Sequence, residues 1–381
     1  MASNRIIAHF DLDAFFVSVE CLLDPSLKGL PLLVGGHSER GVVAACSYEA
    51  RKFGIHSAMS MKQAMRLCPH ATVVGGQRGE YSKYSRIVTN IIGSKAPLME
   101  KASIDEFYIE LTGMERFFDP YQWTIDLRQQ VIQETGLPIS FAMASNKMVA
   151  KIATDEAKPN GYIQVPAGME QAFLAPLKVN KIPGVGSQTH LVLQSMGINT
   201  IRDLSLHPLE DLGERLGKWG LELHRKSLGL HDGEVIPYQE AKSVSTENTF
   251  ESDVTDLDFI MNELVRMTEK IAFELRQDNK MAGCIAVKLK YGDFETTTRQ
   301  TTISYTFYDD ELIPVAKELF HKLYKKGKAI RLLGVRLTEL TNEAVQTNLF
   351  SNAGKKTELY KAIDDLKNRF GKGSITKAAG K

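Results

Sequence analysis

Between Arg5 and Ser145 the chain spells strand, helix, hairpin, helix, strand, an order that few folds accept. Arg5–Phe10 is apolar enough for a buried strand ending at Asp11, and Phe15–Leu22 follows as a short helix stopped near Asp24-Pro25. A helix from Tyr81 to Ile92 precedes LMEKASIDEFYIELT, two strands around an acidic turn. The helix Trp123–Glu134 and the strand LPISFAMAS complete the series. This is the ferredoxin-like pattern. Between its first helix and its hairpin sit LPLLVGG and GVVAACS, short strands around Gly35-Gly36, and a stretch punctuated by Gly54 and Pro69 that reads as a small α/β insertion.

The rest of the chain changes character twice. After Pro166 it becomes helical as far as the turn-rich LGLHDGEVIP, and residues 232–242 read as a linker. From Ser243 to Thr341 two amphipathic helices, Asp258–Arg276 and Leu312–Lys325, accompany strands such as CIAVKLKYG and IRLLGVRLTEL, which predicts a separate α+β domain. In the tail, Leu359, Ile363, Leu366 and Phe370 fall on one helical face ahead of Gly371. A length of 381 residues exceeds what one core sustains, so several modest domains of α/β (α+β) class are expected.

Composition excludes more than it assigns. The net charge of +1 means that any surface for nucleic acid must be local. Cys21, Cys46, Cys68 and Cys284 lie too far apart for zinc-site spacing and read as reduced packing residues. No run of eighteen apolar residues occurs, and His9, Asp11 and Asp13 interrupt the N-terminal one. The expectation is a cytoplasmic protein, neither exported nor membrane-spanning.

Transfer of a phosphoryl-type group calls for carboxylates that hold two divalent ions roughly 4 Å apart. Asp11 and the pair Asp105-Glu106 qualify, each standing where a strand meets a turn. On the residues alone a plainer reading stands beside this one: Asp11 and Asp13 as helix N-terminal acids, Asp105-Glu106 as an ordinary hairpin turn.

Five segments in order, FDLDAFFVSVE, SYEARKFGIHSAM, SIDEFYIELT, NKMVAKIATDEAKPNG and IPGVG, separate the two readings. They resemble the signatures of the Y family of translesion DNA polymerases, closest to its bacterial DNA polymerase IV branch, from Ile6 to the QTNLF tail. The resemblance implies a right-hand polymerase with a ferredoxin-like palm (1–19 and 77–166), small fingers (20–76), a helical thumb with a helix-hairpin-helix (167–231), the linker, a little finger (243–341) and a tail (342–381). It implies low-fidelity, distributive copying of damaged or undamaged DNA with two Mg2+ ions, held by Asp11, Asp105, Glu106 and the Leu12 carbonyl. Asp13 is not a principal ligand in that pattern, and local hydrogen bonding at the helix start is expected of it.

By the same resemblance Tyr48 and Arg51, one helical turn apart, address the incoming triphosphate together with Lys158. Phe16 is the steric gate against a ribose 2′-hydroxyl, with Phe15 beside it as packing, and Ala14 stands where relatives can carry a larger side chain. Gly184 and Gly186 would let backbone amides approach a DNA phosphate. Lys288, Lys290, Arg331 and Arg336, on predicted strands, are candidates for phosphate contact, and ordinary solvated sheet residues remain an equal reading. QTNLF has the form of a sliding-clamp motif, with Gln346 in a polar spot and Leu349 and Phe350 in an apolar pocket. After it, the helix Glu358–Phe370 has three open readings, a partner site, a DNA contact and a terminal structural helix, and eight Lys or Arg against three Asp or Glu from Ser351 onward make electrostatic contact with DNA plausible. The implied partners are primer-template DNA, deoxynucleoside triphosphates and the clamp, with the protein a monomer. A nucleotidyl cyclase would share the carboxylates but have no use for IPGVG or QTNLF, and a non-catalytic DNA-binding scaffold would not need Asp11, Asp105, Glu106, Tyr48 and Arg51 intact.

Overall fold

The computed structural model describes residues 5–36, 38, 40–237, 240–342, 353–371 and 373–375. Two compact units divide at Gln239 and Glu240.

In the first unit β1 (Ile7–Leu12) runs into α1 (Phe15–Leu23). The chain continues through β2 (Leu32–Gly35), β3 (Val43–Cys46), α2 (Tyr48–Arg51), α3 (Met61–Leu67) and β4 (Thr72–Val74). It returns by α4 (Arg78–Gly93), β5 (Met99–Lys101), β6 (Glu106–Glu110), α5 (Pro120–Thr135), β7 (Ile139–Ala144), α6 (Lys147–Ala157) and β8 (Tyr162–Gln164). The main sheet has the order β5-β6-β1-β7-β8, and β3-β2-β4 form a small second one.

β1 is buried at all six positions because it is central and covered on both faces, which explains why IAHFDL lacks polar alternation. Ala8, Phe10 and Leu12 face one core with Val88 and Ile92 of α4 and Leu127 and Val131 of α5. Ile7 faces the other core with Met148, Val149 and Ile152 of α6, so the alternate positions His9 and Asp11 lie on the α6 side. α6 itself is a helix that the sequence reading did not single out. Asn146 caps it, the side chain accepting from the Val149 N–H at 3.0 Å.

Five short helices follow: α7 (Glu170–Leu174), α8 (Ser187–Ser195), α9 (Ile201–Leu206), α10 (Leu209–Leu216) and α11 (Lys218–Ser227). Gly184 precedes α8 at φ +96°, and a Cβ there would stand 2.8 Å from the Trp219 ring, so neither the conformation nor the space admits a side chain.

The second unit contains β9 (Ser243–Val254), α12 (Leu257–Gln277), β10 (Met281–Tyr291), β11 (Thr296–Thr306), α13 (Asp309–Leu323), β12 (Ile330–Thr341) and α14 (Ala353–Phe370). Its antiparallel sheet has the order β11-β10-β12-β9. Ile285, Val287, Leu289, Leu333, Val335 and Leu337 pack against Leu264, Ile271, Leu312 and Leu319 of α12 and α13.

α14 departs from the expected apolar stripe. Leu359, Leu366 and Phe370 are exposed, whereas Tyr360, Asp364 and Lys367 are buried. Charge and hydrogen bonding decide the docked face. Arg276 donates to Asp364 from Nε at 2.7 Å and Nη2 at 3.0 Å, and Lys356 pairs with Asp310 at 2.9 Å and Glu311 at 2.6 Å. Among the described residues no helix is long and apolar enough to cross a membrane.

Candidate active site

Strand register assembles the site. β1 and β6 pair antiparallel with Asp11 opposite Glu106, and the Leu12 N–H donates to the Asp105 carbonyl at 3.1 Å. Residues directly opposite on neighbouring strands share a face. Two carboxylates 95 positions apart in the chain therefore stand side by side on the α6 face, with Asp105 in the turn just before β6. That turn is pinned by Ser103, whose hydroxyl donates to Asp105 Oδ1 at 2.5 Å and accepts the Glu106 N–H at 3.0 Å.

Two ammonium groups lie among these acids. Lys158 Nζ, at the C-terminal end of α6, is 2.6 Å from Asp11 Oδ2 and 3.3 Å from Asp155, and Lys151 Nζ is ion-paired with Glu106. Burial pushes the Asp11 carboxyl up to about 7; Lys158 opposes this, while Glu106 and Asp105 add to it. Lys158 is penalised by burial, but Asp11 outweighs that penalty and its pKa ends above the ordinary value. Behind the acids, His9 is fully buried, with Nδ1 2.9 Å from Thr154 Oγ1 and Nε2 3.9 Å from Glu106. Burial first, and then the nearby lysines, hold its pKa well below the usual range, so it is neutral.

Among the described residues no three His, Cys, Asp or Glu side chains are gathered into a ready-made cation cage. The donor set nonetheless suits a hard divalent cation: oxygen ligands only, with one carboxyl whose pKa burial raises and two lysine ammonium groups paired with Asp11 and Glu106.

A cleft of about 170 Å³ opens beside the carboxylates, lined by Asp11, Leu12, Ala14, Phe15, Phe16, Arg51, Asp105 and Lys158 among others. Phe15 is buried in the core, while Phe16 stacks on Tyr81 with ring centroids 4.3 Å apart and planes at 17°. Tyr81 is fixed in turn by donating to Glu20. Arg51 lies over the Tyr48 ring at 4.5 Å, and burial lifts the Tyr48 phenol to about 12.

Asp13 corrects the sequence reading. Its side chain makes no helix-start contact and accepts from residues far along the chain, Ser140 and the Asn160 N–H. Lys151, His9, Thr154 and Tyr81 were also not singled out. The cap at Asn146 followed by apolar Met148, Val149, Ile152 and Ala153 was the available signal for the helix that carries Lys151.

Away from the cleft, Gly186 is the N-terminal cap of α8. In the second unit Lys288, Lys290 and Arg336 lie on the sheet face opposite the helices, and Arg331 sits at a register break in β12. Lys288 pairs with Glu247 at 3.0 Å, Arg336 reaches Ser243 at 3.3 Å, and Lys290 and Arg331 flank the Phe294 ring at 4.8 and 4.6 Å. Gln346, Leu349 and Phe350 lie outside the described residues.

Residues 10–155 match the model of the impB/mucB/samB family, residues 241–349 match the C-terminal domain of that family, and residues 180–231 match the thumb domain of DNA polymerase-iota. Among solved structures, a Y-family DNA polymerase chimera superposes with a TM-score of 0.77 at 28% identity, covering 89% of this chain and 100% of that one. The chain belongs to the Y family of DNA polymerases. Within it, DNA polymerase IV of Dehalococcoides mccartyi is 38% identical over 379 residues, 98% of this chain and 97% of that protein. DNA polymerase IV of Caulobacter vibrioides is 36% identical over 374 residues, 97% and 92% of the two chains.

Proposed function

We infer that this chain is a DNA-directed DNA polymerase of the translesion type, adding deoxynucleotides to a primer 3′ end on damaged or undamaged templates, with low fidelity and distributively. The observation that carries the reading is the convergence of Asp11 and Glu106 across paired strands, with Asp11 and Asp105 lining one cleft, in a chain whose polymerase relatives match it nearly end to end.

The residues that would hold two Mg2+ ions are Asp11, Asp105, Glu106 and the Leu12 carbonyl. Bound there, such ions would supply the lowered pKa of the attacking primer hydroxyl and the neutralisation of the departing pyrophosphate. The chain's own cations bind and orient the triphosphate: Arg51 and Lys158 line the cleft, and the Tyr48 phenol, protonated at neutral pH as any phenol is and lifted further to about 12 by burial, acts by hydrogen bonding alone. Phe16, backed by the Tyr81 ring, excludes the ribose 2′-hydroxyl. Gly184 and Gly186 offer backbone amides to a DNA phosphate without reading sequence. Lys288, Lys290, Arg331 and Arg336 supply sequence-independent attraction for the duplex.

QTNLF docks the protein on the sliding clamp, and a monomer in the cytoplasm, at the nucleoid when on DNA, is the working unit. Removing residues 346–350 is expected to lower processivity on clamp-loaded DNA and leave distributive synthesis intact; equal losses in both assays would count against the clamp assignment. The activity itself is tested by extension of a labelled primer with four deoxynucleotides and magnesium. Template-dictated products are expected. Primer-independent formation of cyclic nucleotide would replace the polymerase with a cyclase, and no product of either kind would leave a DNA-binding scaffold.

A further inference from the structure

Asp13 sits at the turn between β1 and α1 with 2% of its surface exposed. Its carboxylate gathers three segments remote in sequence. The Ser140 hydroxyl on β7 lies 2.9 Å from both carboxylate oxygens, the Asn160 N–H donates to Oδ2 at 2.7 Å, and the Tyr48 hydroxyl donates to Oδ1 at 3.4 Å. Asn160 is held from its other side as well: Arg128 donates to its carbonyl at 2.8 Å and to its side-chain oxygen, and reaches the Ile139 carbonyl at 2.8 Å. The turn is itself unusual. Ala14 and Asn160 adopt left-handed backbone at φ +43° and +52°, and a residue with a Cβ such as Ala14 rests there only when its surroundings hold it.

These contacts join the two elements that carry the triphosphate-binding groups. Lys158 is two residues before Asn160, and Tyr48 opens α2. Hydrogen bonds to a buried carboxylate are charge-assisted and directional, and a site whose groups are fixed before the ligand arrives avoids ordering them afterwards.

We propose that Asp13 is a positioning residue for nucleotide binding, one carboxylate that fixes the Lys158–Asn160 segment and Tyr48 relative to each other before the nucleotide arrives, the Tyr48 hydroxyl turning its one proton from Asp13 to the triphosphate on binding. The inference rests on the assignment of Tyr48 and Lys158 to the triphosphate, and the experiment separates the two.

Single-nucleotide incorporation on a primed template is measured with the full chain for Lys158→Ala, Asp13→Asn, Asp13→Ala and the Asp13→Ala/Lys158→Ala pair. Lys158→Ala is expected to raise the nucleotide KM, and an unchanged KM would remove the underlying assignment. Asp13→Ala is expected to raise nucleotide KM about tenfold, with kcat and the KM for primer-template nearly unchanged. Asp13→Asn, which keeps an oxygen for the Asn160 N–H, should recover most of that loss. The double variant should lose less than the product of the single effects, because the two residues serve one contact. Should Asp13→Ala fail to fold, Ser140→Ala leaves the carboxylate in place and removes a donor, and is expected to raise nucleotide KM about threefold. With Lys158→Ala active in the assay, the positioning role is overturned by an unchanged nucleotide KM in both the Asp13 and Ser140 variants, by a fall confined to kcat, or by fully multiplicative effects.

Discussion

Each unit contains a cluster of buried charge, and the two are built differently. In the second unit Arg276, 6% exposed in its side chain, lies between Asp309 at 2.7 Å and Asp364, to which it donates twice. Burial lowers the Arg276 pKa, but Asp364 and Asp309 more than reverse this, so the charge is satisfied where it stands. In the first unit Asp11 and Asp105 line one cleft, Glu106 stands opposite Asp11 on the neighbouring strand, and burial pushes the Asp11 carboxyl up to about 7 in spite of Lys158. One cluster is closed and complete, and it ties α14 to its unit. The other opens on a cleft and contains a carboxyl whose pKa burial raises, the condition in which a protein takes up cations at a cost to its own stability.

That contrast makes opposite demands on substitutions. Asp105→Asn/Glu106→Gln is expected to lower primer extension by about 10³-fold or more while leaving the melting temperature unchanged or higher, measured by extension and calorimetry on one preparation. Arg276→Ala leaves two buried carboxylates unpaired and should cost about 3–5 kcal/mol of stability in denaturant unfolding of the second unit's transition, with the chemical step in single-turnover assays retained. If Arg276→Ala abolished chemistry with stability intact, the distinction between the clusters would fail.

Smaller effects sharpen the picture within each unit. Phe16→Ala should relax discrimination against ribonucleotides by about 100-fold, measured as the ratio of kcat/KM for the two sugars, while deoxynucleotide use is spared. Exposed sheet charges should matter least. Lys288→Ala and Arg336→Ala are each expected to weaken primer-template binding severalfold and to reduce the salt slope by about one unit if each makes the one phosphate contact proposed for it.

The grouping of Asp11 with Asp105 and Glu106 was legible because strand ends and acidic turns leave local marks, and the ordered motifs gave those marks a family. The roles of Asp13 and α14 were not. Ser140 and Asn160 lie 127 and 147 residues from Asp13, and nothing in FDLDAFF names them. The periodicity of α14 pointed to Leu359, Leu366 and Phe370, but the ionic partners on α12 and α13, distant in the chain, selected the adjacent face, about a quarter-turn round the helix. α6 escaped because its alanines and lysines dilute the apolar stripe, and with it went Lys151, the partner of Glu106.

The most direct test of the open cluster is a magnesium titration of single-nucleotide incorporation by the wild type and by Asp105→Asn/Glu106→Gln, starting from chelator-treated protein on a primed template. The expected result is no incorporation without divalent metal, full recovery for the wild type on adding magnesium, and none for the variant at any concentration. Incorporation by the wild type in chelator, or recovery of the variant at the wild-type magnesium concentration, would contradict a metal site built on these carboxylates.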